Sequence, residues 1–547
     1  MVAYRTAPDP AETGWPKGIP YIIGNEGCER FSFYGMNAIL FVYLSHLLLG
    51  SGVTKQLAET RATAVVHTFV AGVYALPMVG AVIADRWWGK YSTIVWLSLV
   101  YCAGHACLAI FDGNLTGSVA GLVLIALGSG GIKPCVSAHV GDQFGKGNFD
   151  KVERVYQAFY FIVNVGSLFA TLLIPWIQRE AGFGVAFAVP GILMGIASAW
   201  FWMGRKVFVH VPARPGGLLG LIDVLSSVLL FFTIALPMFG AGLLPVYKVL
   251  SVPSKLLVSL LCFMLGILVF AWRQTRTPDD GFLAVLFYAL RTKWKGSELP
   301  PLPGRAEQDA SAVDLSPFWA SAVRRFGREA AEGPPAVLRI VSVFAMVSVF
   351  WALFHQHQST WIAQAAEMDR SFHLFGFSFE VLPSQVSSAN PLLVMLLVPL
   401  MGGVVYPGIA RITGRAFTLL QRMTVGMVLT SLSFVIVALA QEQLDAGVKV
   451  HVWVQLPAYL VLTASEVMVS VTGLEFAYTQ APRRMKALLM GFWLLATSFG
   501  NILVARLFEF GGLTRAQAFW TFAALMLLAG VLFGVRAAFY RYKTIVQ

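Results

Sequence analysis

Charge is what this chain has least of. Of its 547 residues only 12% are Asp, Glu, Lys or Arg against 57% hydrophobic, and the mean hydropathy is +0.70, a balance no ordinary soluble domain has. Cysteine is scarce as well. Cys28, Cys102, Cys107, Cys135 and Cys262 lie in or beside apolar runs, with no metal-ligand spacing and no sign of a disulfide framework. They are expected to be small packed side chains, and no metal or cofactor is expected. Residues 1–18 have no apolar core and contain Asp9, Glu12 and three prolines, so 1–19 is expected to be a tail and not a cleavable signal. Acids are fewer than bases, 28 against 40, and the net charge of +12 could suggest a nucleic-acid partner. The basic residues form no single patch, however. They gather in alternate loops, as membrane insertion requires, and nucleic acid is excluded as a partner.

What the chain does have is a series of apolar stretches, each near the length that crosses a bilayer core of about 30 Å. They fall near 20–49, 63–84, 91–112, 118–140, 153–178 and 184–204, then 219–244 and 254–273. After a polar stretch, six more lie near 336–366, 384–410, 415–440, 452–478, 487–509 and 515–540. The expected fold is therefore all-α, with fourteen transmembrane helices. The expected domains are a six-helix bundle over 20–210, an inserted pair over 219–273, a linker over 274–335, a second six-helix bundle over 336–540 and a tail over 541–547. Within the linker, Phe282–Arg291 reads as an amphipathic helix on the membrane surface. Two six-helix halves suggest a transporter built from repeats, with its site at the midplane between them. The inserted pair carries no charge deep in the membrane and is expected to be peripheral.

Loop charge sets the orientation. Asp85-Arg86 to Lys90, Lys146 to Arg154, Arg205-Lys206 to Arg214, Arg411 to Arg415 and Arg483-Arg484 to Lys486 fall in loops of one parity. The basic residues of 273–328 and Arg536, Arg541 and Lys543 join them, while the other parity carries little. Both termini and the linker are expected to face the cytoplasm, with the protein multi-pass in an inner (plasma) membrane.

Charges inside such spans are expensive and mark function. The first span opens with Glu26, Glu29, Arg30, Phe33, Tyr34 and Asn37, which share one helix face by the i, i+3, i+4, i+7 rule. Two carboxylates and a guanidinium in low dielectric make a site that a small change can protonate. Further on, Lys133 precedes Pro134 inside the fourth span and needs an acidic partner or ligand. Glu466 sits in the polar stripe Thr463-Ala-Ser-Glu466, and His67 lies in the second span two turns before Tyr74 on the same face. Asn164 and Asn390 are amides inside apolar segments of opposite halves. The aromatic residues Trp351 and Trp493, with Thr497 four residues on, suit a wall for variable side chains.

Gly80-Ala-Val-Ile-Ala-Asp85-Arg86-Trp-Trp-Gly89-Lys90, echoed at Gly408–Arg415, resembles the loop 2–3 signature of the major facilitator superfamily. Glu26-x-x-Glu29-Arg30-Phe-Ser-Phe-Tyr34-Gly resembles the first-helix signature of the proton-coupled oligopeptide transporters. Gly130-Gly-Ile-Lys133-Pro, Phe159-Tyr160-Phe-Ile-Val-Asn164, Phe350-Trp351 and Glu466 to Pro482 look like the same family. The resemblance implies a major facilitator fold and proton-coupled symport of di- and tripeptides by alternating access, with protons, peptides and membrane lipid as partners and a monomeric carrier. It implies that Glu26, Glu29, Arg30, His67, Lys133 and Glu466 couple protons. Tyr34, Asn37, Tyr74, Lys133, Asn164, Trp351, Asn390, Glu466, Trp493 and Thr497 would then line the substrate site, with Lys133 and Glu466 paired when it is empty.

Two positions depart from the pattern. Asn37 stands where most peptide-transporting members have Arg, and His355 where they have an acid, so the family's salt bridge between the halves cannot form. An Asn37–His355 hydrogen bond is expected to gate in its place. The motif's usual second tyrosine is Phe33 here. A carrier of another solute (nitrate, a drug or a metabolite) and a non-transporting peptide sensor are the alternatives. No His/Asp/Ser constellation or metal spacing at a membrane face supports a membrane enzyme.

Overall fold

Glycine, proline and capping hydroxyls decide where the long apolar runs start, stop and fold back. In the computed structural model, which describes residues 4–243, 251–302, 315–374, 377–480, 485–510, 512–540 and 542, the chain forms thirteen helical stretches long and apolar enough to cross a membrane. One of them, Val152–Met203, is two helices: Gly182 takes φ +84° and ψ 174°, a backbone that glycine alone adopts without strain, and the chain reverses there. The crossings thus number fourteen among the described residues. Arg483-Arg484 and Pro482, and most of 296–312, lie outside the described residues.

The first half contains α1 (Ile19–Gly50), α2 (Lys55–Trp88), α3 (Lys90–Ile110), α4 (Leu115–Asp142), α5 (152–181) and α6 (183–203). The inserted hairpin follows as α7 (Gly217–Leu243) and α8 (Val252–Arg276). Two short helices, α9 (Phe282–Lys295) and α10 (Ala320–Phe326), belong to the linker. The second half contains α11 (Arg328–Glu367), α12 (Pro383–Thr413), α13 (Leu419–Asp445), α14 (Val452–Ala477), α15 (Lys486–Phe510) and α16 (Arg515–Ala538). A hairpin of β1 (Ser371–Leu374) and β2 (Phe377–Glu380) joins α11 to α12, pairing Ser371 with Glu380 in antiparallel register. The face carrying this hairpin, the α1–α2 turn and the starts of α12, α14 and α16 is called the far face below. The face carrying the linker is the terminal face.

Starts are capped by side chains. Thr54 accepts from the Leu57 amide, and Thr418 and Thr514 each form a reciprocal box with the glutamine three residues on. Each half has its own apolar core, one built around Ile39, Leu40, Val70, Ile125 and Phe187, the other around Phe344, Phe350, Phe434 and Phe519. Close approach between helices rests on glycine. A Cβ on Gly80 would stand 2.4 Å from Gly131 Cα, so α2 and α4 touch backbone to backbone beside Lys133. Lys90, at the end of the same loop motif, pairs with Asp142 at 2.8 Å.

The helix α9 forms where its periodicity predicts, but its apolar face is not left for a bilayer. Val285, Tyr288 and Ala289 are buried against Trp319, Ala322, Val323 and Phe326. The linker thus has a small core of its own.

Candidate functional site

The α1 face is assembled as its spacing predicts. Arg30 Nε lies 3.0 Å from Glu26 Oε1, one turn away, and the guanidinium also pairs with Glu29. All three side chains are buried, and Ser129 Oγ donates to Glu29 Oε1 at 3.5 Å. Two carboxylates thus share one cation inside the first half. When all are ionised the group carries one net negative charge, which a single proton neutralises.

Lys133 faces this group but forms no ion pair among the described residues. Its Nζ stands 4.4 Å from the centroid of Phe33 and 4.2 Å from that of Tyr74, buried and without a hydrogen-bond partner among the described residues. Pro134 follows it and removes one helical hydrogen bond, which leaves the backbone there less constrained. The expected Lys133–Glu466 pair is absent. Glu466 Oε2 instead accepts from Asn390 Nδ2 at 2.8 Å, and the same amide donates to Thr463 Oγ1 at 3.1 Å. The acid is satisfied within the second half, while the ammonium rests on aromatic faces in the first. A π turn, Val467–Val471, begins directly after Glu466 and offsets its helix face from the regular repeat.

The second correction concerns the gate. Asn37 donates to Gln358 and is not hydrogen-bonded to His355. The reason lies in α11, whose backbone tightens to a 3₁₀ turn over His355–Gln358. With three residues per turn, Gln358 sits directly one turn beyond His355 and meets Asn37. His355 is turned inward: its Nδ1 is 3.1 Å from both Trp351 O and Asn501 Nδ2, and its ring packs on Trp351 and Tyr74 at 5.5 and 5.6 Å.

His67 joins the halves. Its Nδ1 is 2.7 Å from Asn501 Oδ1 on α15 and its Nε2 is 2.9 Å from Ser359 Oγ on α11. Trp493 and Trp351 meet edge to face at 6.2 Å, and Phe344 closes on Trp493 at 5.0 Å. Glycine at 473 gives that indole its place, since a Cβ there would stand 2.2 Å from the ring. Thr497 is buried beside them, its carbonyl accepting from Asn501 Nδ2 at 2.9 Å. Tyr34 lies against Phe33 at 5.5 Å. Asn164 donates back to Tyr160 O at 2.9 Å and so bonds within its own helix and not across helices.

Sequence reasoning missed four contributors. Asn501 was accessible to it, lying one turn beyond Thr497 and two beyond Trp493 on the same face. Gln358 and Ser359 depend on the 3₁₀ turn, which no motif announces. The fourth is an ion cluster at the far face: Arg515 on α16 pairs with Glu59 on α2 at 2.5 Å and with Glu367 on α11 at 2.6 Å, while Lys55 reaches Glu367 at 3.0 Å. Each half contributes one acid and one base.

Polar contacts between the halves among the described residues gather on this side: Asn37–Gln358, the two bonds of His67, the Arg515 cluster and Gln385 Nε2 on Leu172 O at 2.9 Å. The far face is closed. In Arg515→Ala two carboxylates would confront each other with only Lys55 between them. Spin labels on Ser51 and Leu513, exposed on opposite halves of this face, should then report a longer distance. Raising salt to about 1 M, where screening acts within about 3 Å, should lengthen the wild-type distance and shorten the variant's, in which it relieves repulsion.

Two six-helix halves, with an acid–base group buried inside the first and an amide-held carboxylate in the second, have the architecture of the major facilitator fold. A family model described as the POT family (PTR2) matches residues 91–231 and 254–511, and the chain belongs to that family. Solute carrier family 15 member 1 of Oryctolagus cuniculus is 32% identical over 457 residues, covering 79% of this chain and 53% of the relative. The protein called peptide transporter family 1 of Drosophila melanogaster is 31% identical over 434 residues, covering 77% and 47%. The chain spans about half the length of the curated relatives it matches. Among solved structures, an auto-inhibited POT family peptide transporter superposes with a TM-score of 0.75 at 36% identity, over 97% of this chain and 99% of that one. A proton-dependent oligopeptide (POT) family transporter does so with 0.68 at 36%, over 94% and 100%.

Proposed function

We propose that this chain imports di- and tripeptides together with protons by alternating access. The observation that carries the reading is the separation of charge in the closed site: an unpaired ammonium on the first half and a carboxylate held by an amide on the second. A peptide is a zwitterion, and its two ends fit that pair. Lys133 receives the peptide carboxylate, and Glu466 with Asn390 receives the amino end. The curated relatives and the two solved structures, several named as peptide transporters, support this substrate class.

Binding then draws the halves together around the peptide. Tyr34, Tyr74, Trp351 and Trp493 supply apolar area without demanding one side chain, which suits a variable substrate. Glu26, Glu29 and Arg30 act as the proton-handling group behind Lys133. Protonation of one acid loosens its hold on Arg30, and deprotonation restores it, so closure is linked to the gradient. The terminal face is cytoplasmic in this reading, in accord with its basic loops, and the membrane is the plasma membrane with a monomeric carrier.

The substrate assignment is tested by competition. Unmodified dialanine should inhibit labelled dialanine uptake at least about tenfold better than its N-acetyl or C-amide forms, because each blocked end forfeits a charged contact. Equal inhibition by the blocked forms would favour a different solute. Binding without any uptake would favour a sensor.

A further inference from the structure

In the inserted hairpin, α7 lies along the seam where α2 of the first half meets α15 of the second. Ala235 is buried in one cluster with Ala71 and Ala75 of α2 and Ile502 of α15, and Phe231, Met238 and Leu495 close over it. The helix is held differently at its two ends.

Near the terminal face it is fixed to the first half. A Cβ on Gly220 would stand 1.9 Å from Arg86 O, and the Gly216 amide donates to that same carbonyl at 3.0 Å. Asp223 receives Arg273 of α8 at 2.8 Å and lies 3.6 Å from Arg86, in the last turn of α2. Backbone contact and a largely buried ion pair leave this end no room to slide.

Near the far face, among the described residues, the hydrogen bond that holds it comes from a side chain of the second half. Arg506 of α15 donates from Nη2 to the Met238 carbonyl at 3.0 Å, while Glu509 steadies its other nitrogen at 2.5 Å. A side chain resting on a carbonyl can let go and re-form, as a backbone contact cannot.

We propose that the α7–α8 hairpin is a brace, built into the first half and caught by Arg506 of the second, that favours the state with the far face closed. This rests on the alternating-access reading above. When the far halves of α2 and α15 separate, α7 stays with α2 and the Arg506–Met238 contact must break. The catch therefore contributes to one state of the cycle only, and a contact with that property shifts a two-state population. The hairpin then sets how often the carrier opens to the far side, without touching peptide or proton.

The test uses the full chain in lipid with its five cysteines replaced and spin labels on Ser51 and Leu513. Wild type should populate mainly the short far-face distance. Arg506→Met, close in length but unable to donate, should raise the long-distance fraction about tenfold relative to the short one. Arg506→Lys should restore most of the short population, and Asp223→Asn, which leaves the backbone contact to Arg86 in place, should keep the wild-type distances. Cysteines at Ala235 and Ile502, oxidised across the seam, should hold the distance short and arrest exchange until reduced. Unchanged distances in Arg506→Met, or undiminished exchange in the cross-linked protein, would overturn the brace. Peptide exchange by wild type separates the two failures. Exchange with unchanged distances removes the brace alone, whereas absent exchange removes the alternation beneath it and the brace with it.

Discussion

Lys133→Ala should lose at least about a hundredfold in the initial rate of dialanine uptake per unit concentration, with no loss of thermal stability. The ammonium rests on Phe33 and Tyr74 at 4.4 and 4.2 Å and has no hydrogen-bond partner among the described residues. A ring face contributes about 0.5–2 kcal/mol to a cation, whereas withdrawing an ion from water costs several kcal/mol. The empty site is thus short of an anion, and a peptide carboxylate makes up that deficit. Because the charge is poorly compensated without substrate, its removal should leave the melting temperature equal or higher. A variant retaining a third or more of wild-type uptake would mean that the carboxylate binds elsewhere. A variant that merely unfolds would show the opposite stability change, so the two outcomes are separable.

In Glu29→Gln, driven uptake should stop while exchange of peptide for peptide continues near the wild-type rate. Glu29 is fully buried, shares Arg30 with Glu26 and accepts from Ser129. Glutamine keeps the shape and can still accept from Ser129, but it cannot release a proton. A pH difference of one unit is worth about 1.4 kcal/mol per proton, hence about tenfold accumulation of a substrate moved one to one. Wild type should approach that ratio and the variant should equilibrate at parity, measured as labelled peptide inside against outside. Accumulation by the variant would remove Glu29 from the coupling step. Loss of exchange as well would give it a role in binding or closure in place of coupling.

How much of this was legible in the chain depends on the distance over which a pattern speaks. The spans were legible because bilayer thickness imposes a length and loop charge a parity. So was the Glu26, Glu29 and Arg30 group, since residues three and four apart on one helix must be neighbours. Pairing between helices was not. Lys133 and Glu466 have opposite charge, yet nothing in spacing says that Asn390 already occupies Glu466 or that two rings occupy Lys133. Asn37 illustrates the same limit at one-residue resolution. Its partner shifted from His355 to Gln358 because four residues of α11 wind more tightly, a change invisible to a 3.6-residue repeat. The far-face cluster escaped notice for another reason: Glu59, Glu367 and Arg515 sit at helix ends, where charge is ordinary in a membrane protein, and only the fold brings them together. Nor could composition say where the hairpin packs, because the absence of deep charge says nothing of the seam along which α7 lies.

Uptake of labelled dialanine into liposomes containing the purified chain, under an imposed inward proton gradient, tests the central claim most directly. Accumulation above the outside concentration, collapsing when a protonophore is added, is the predicted result. Uptake that ignores the gradient, or no uptake from a folded protein, would contradict proton-coupled peptide import.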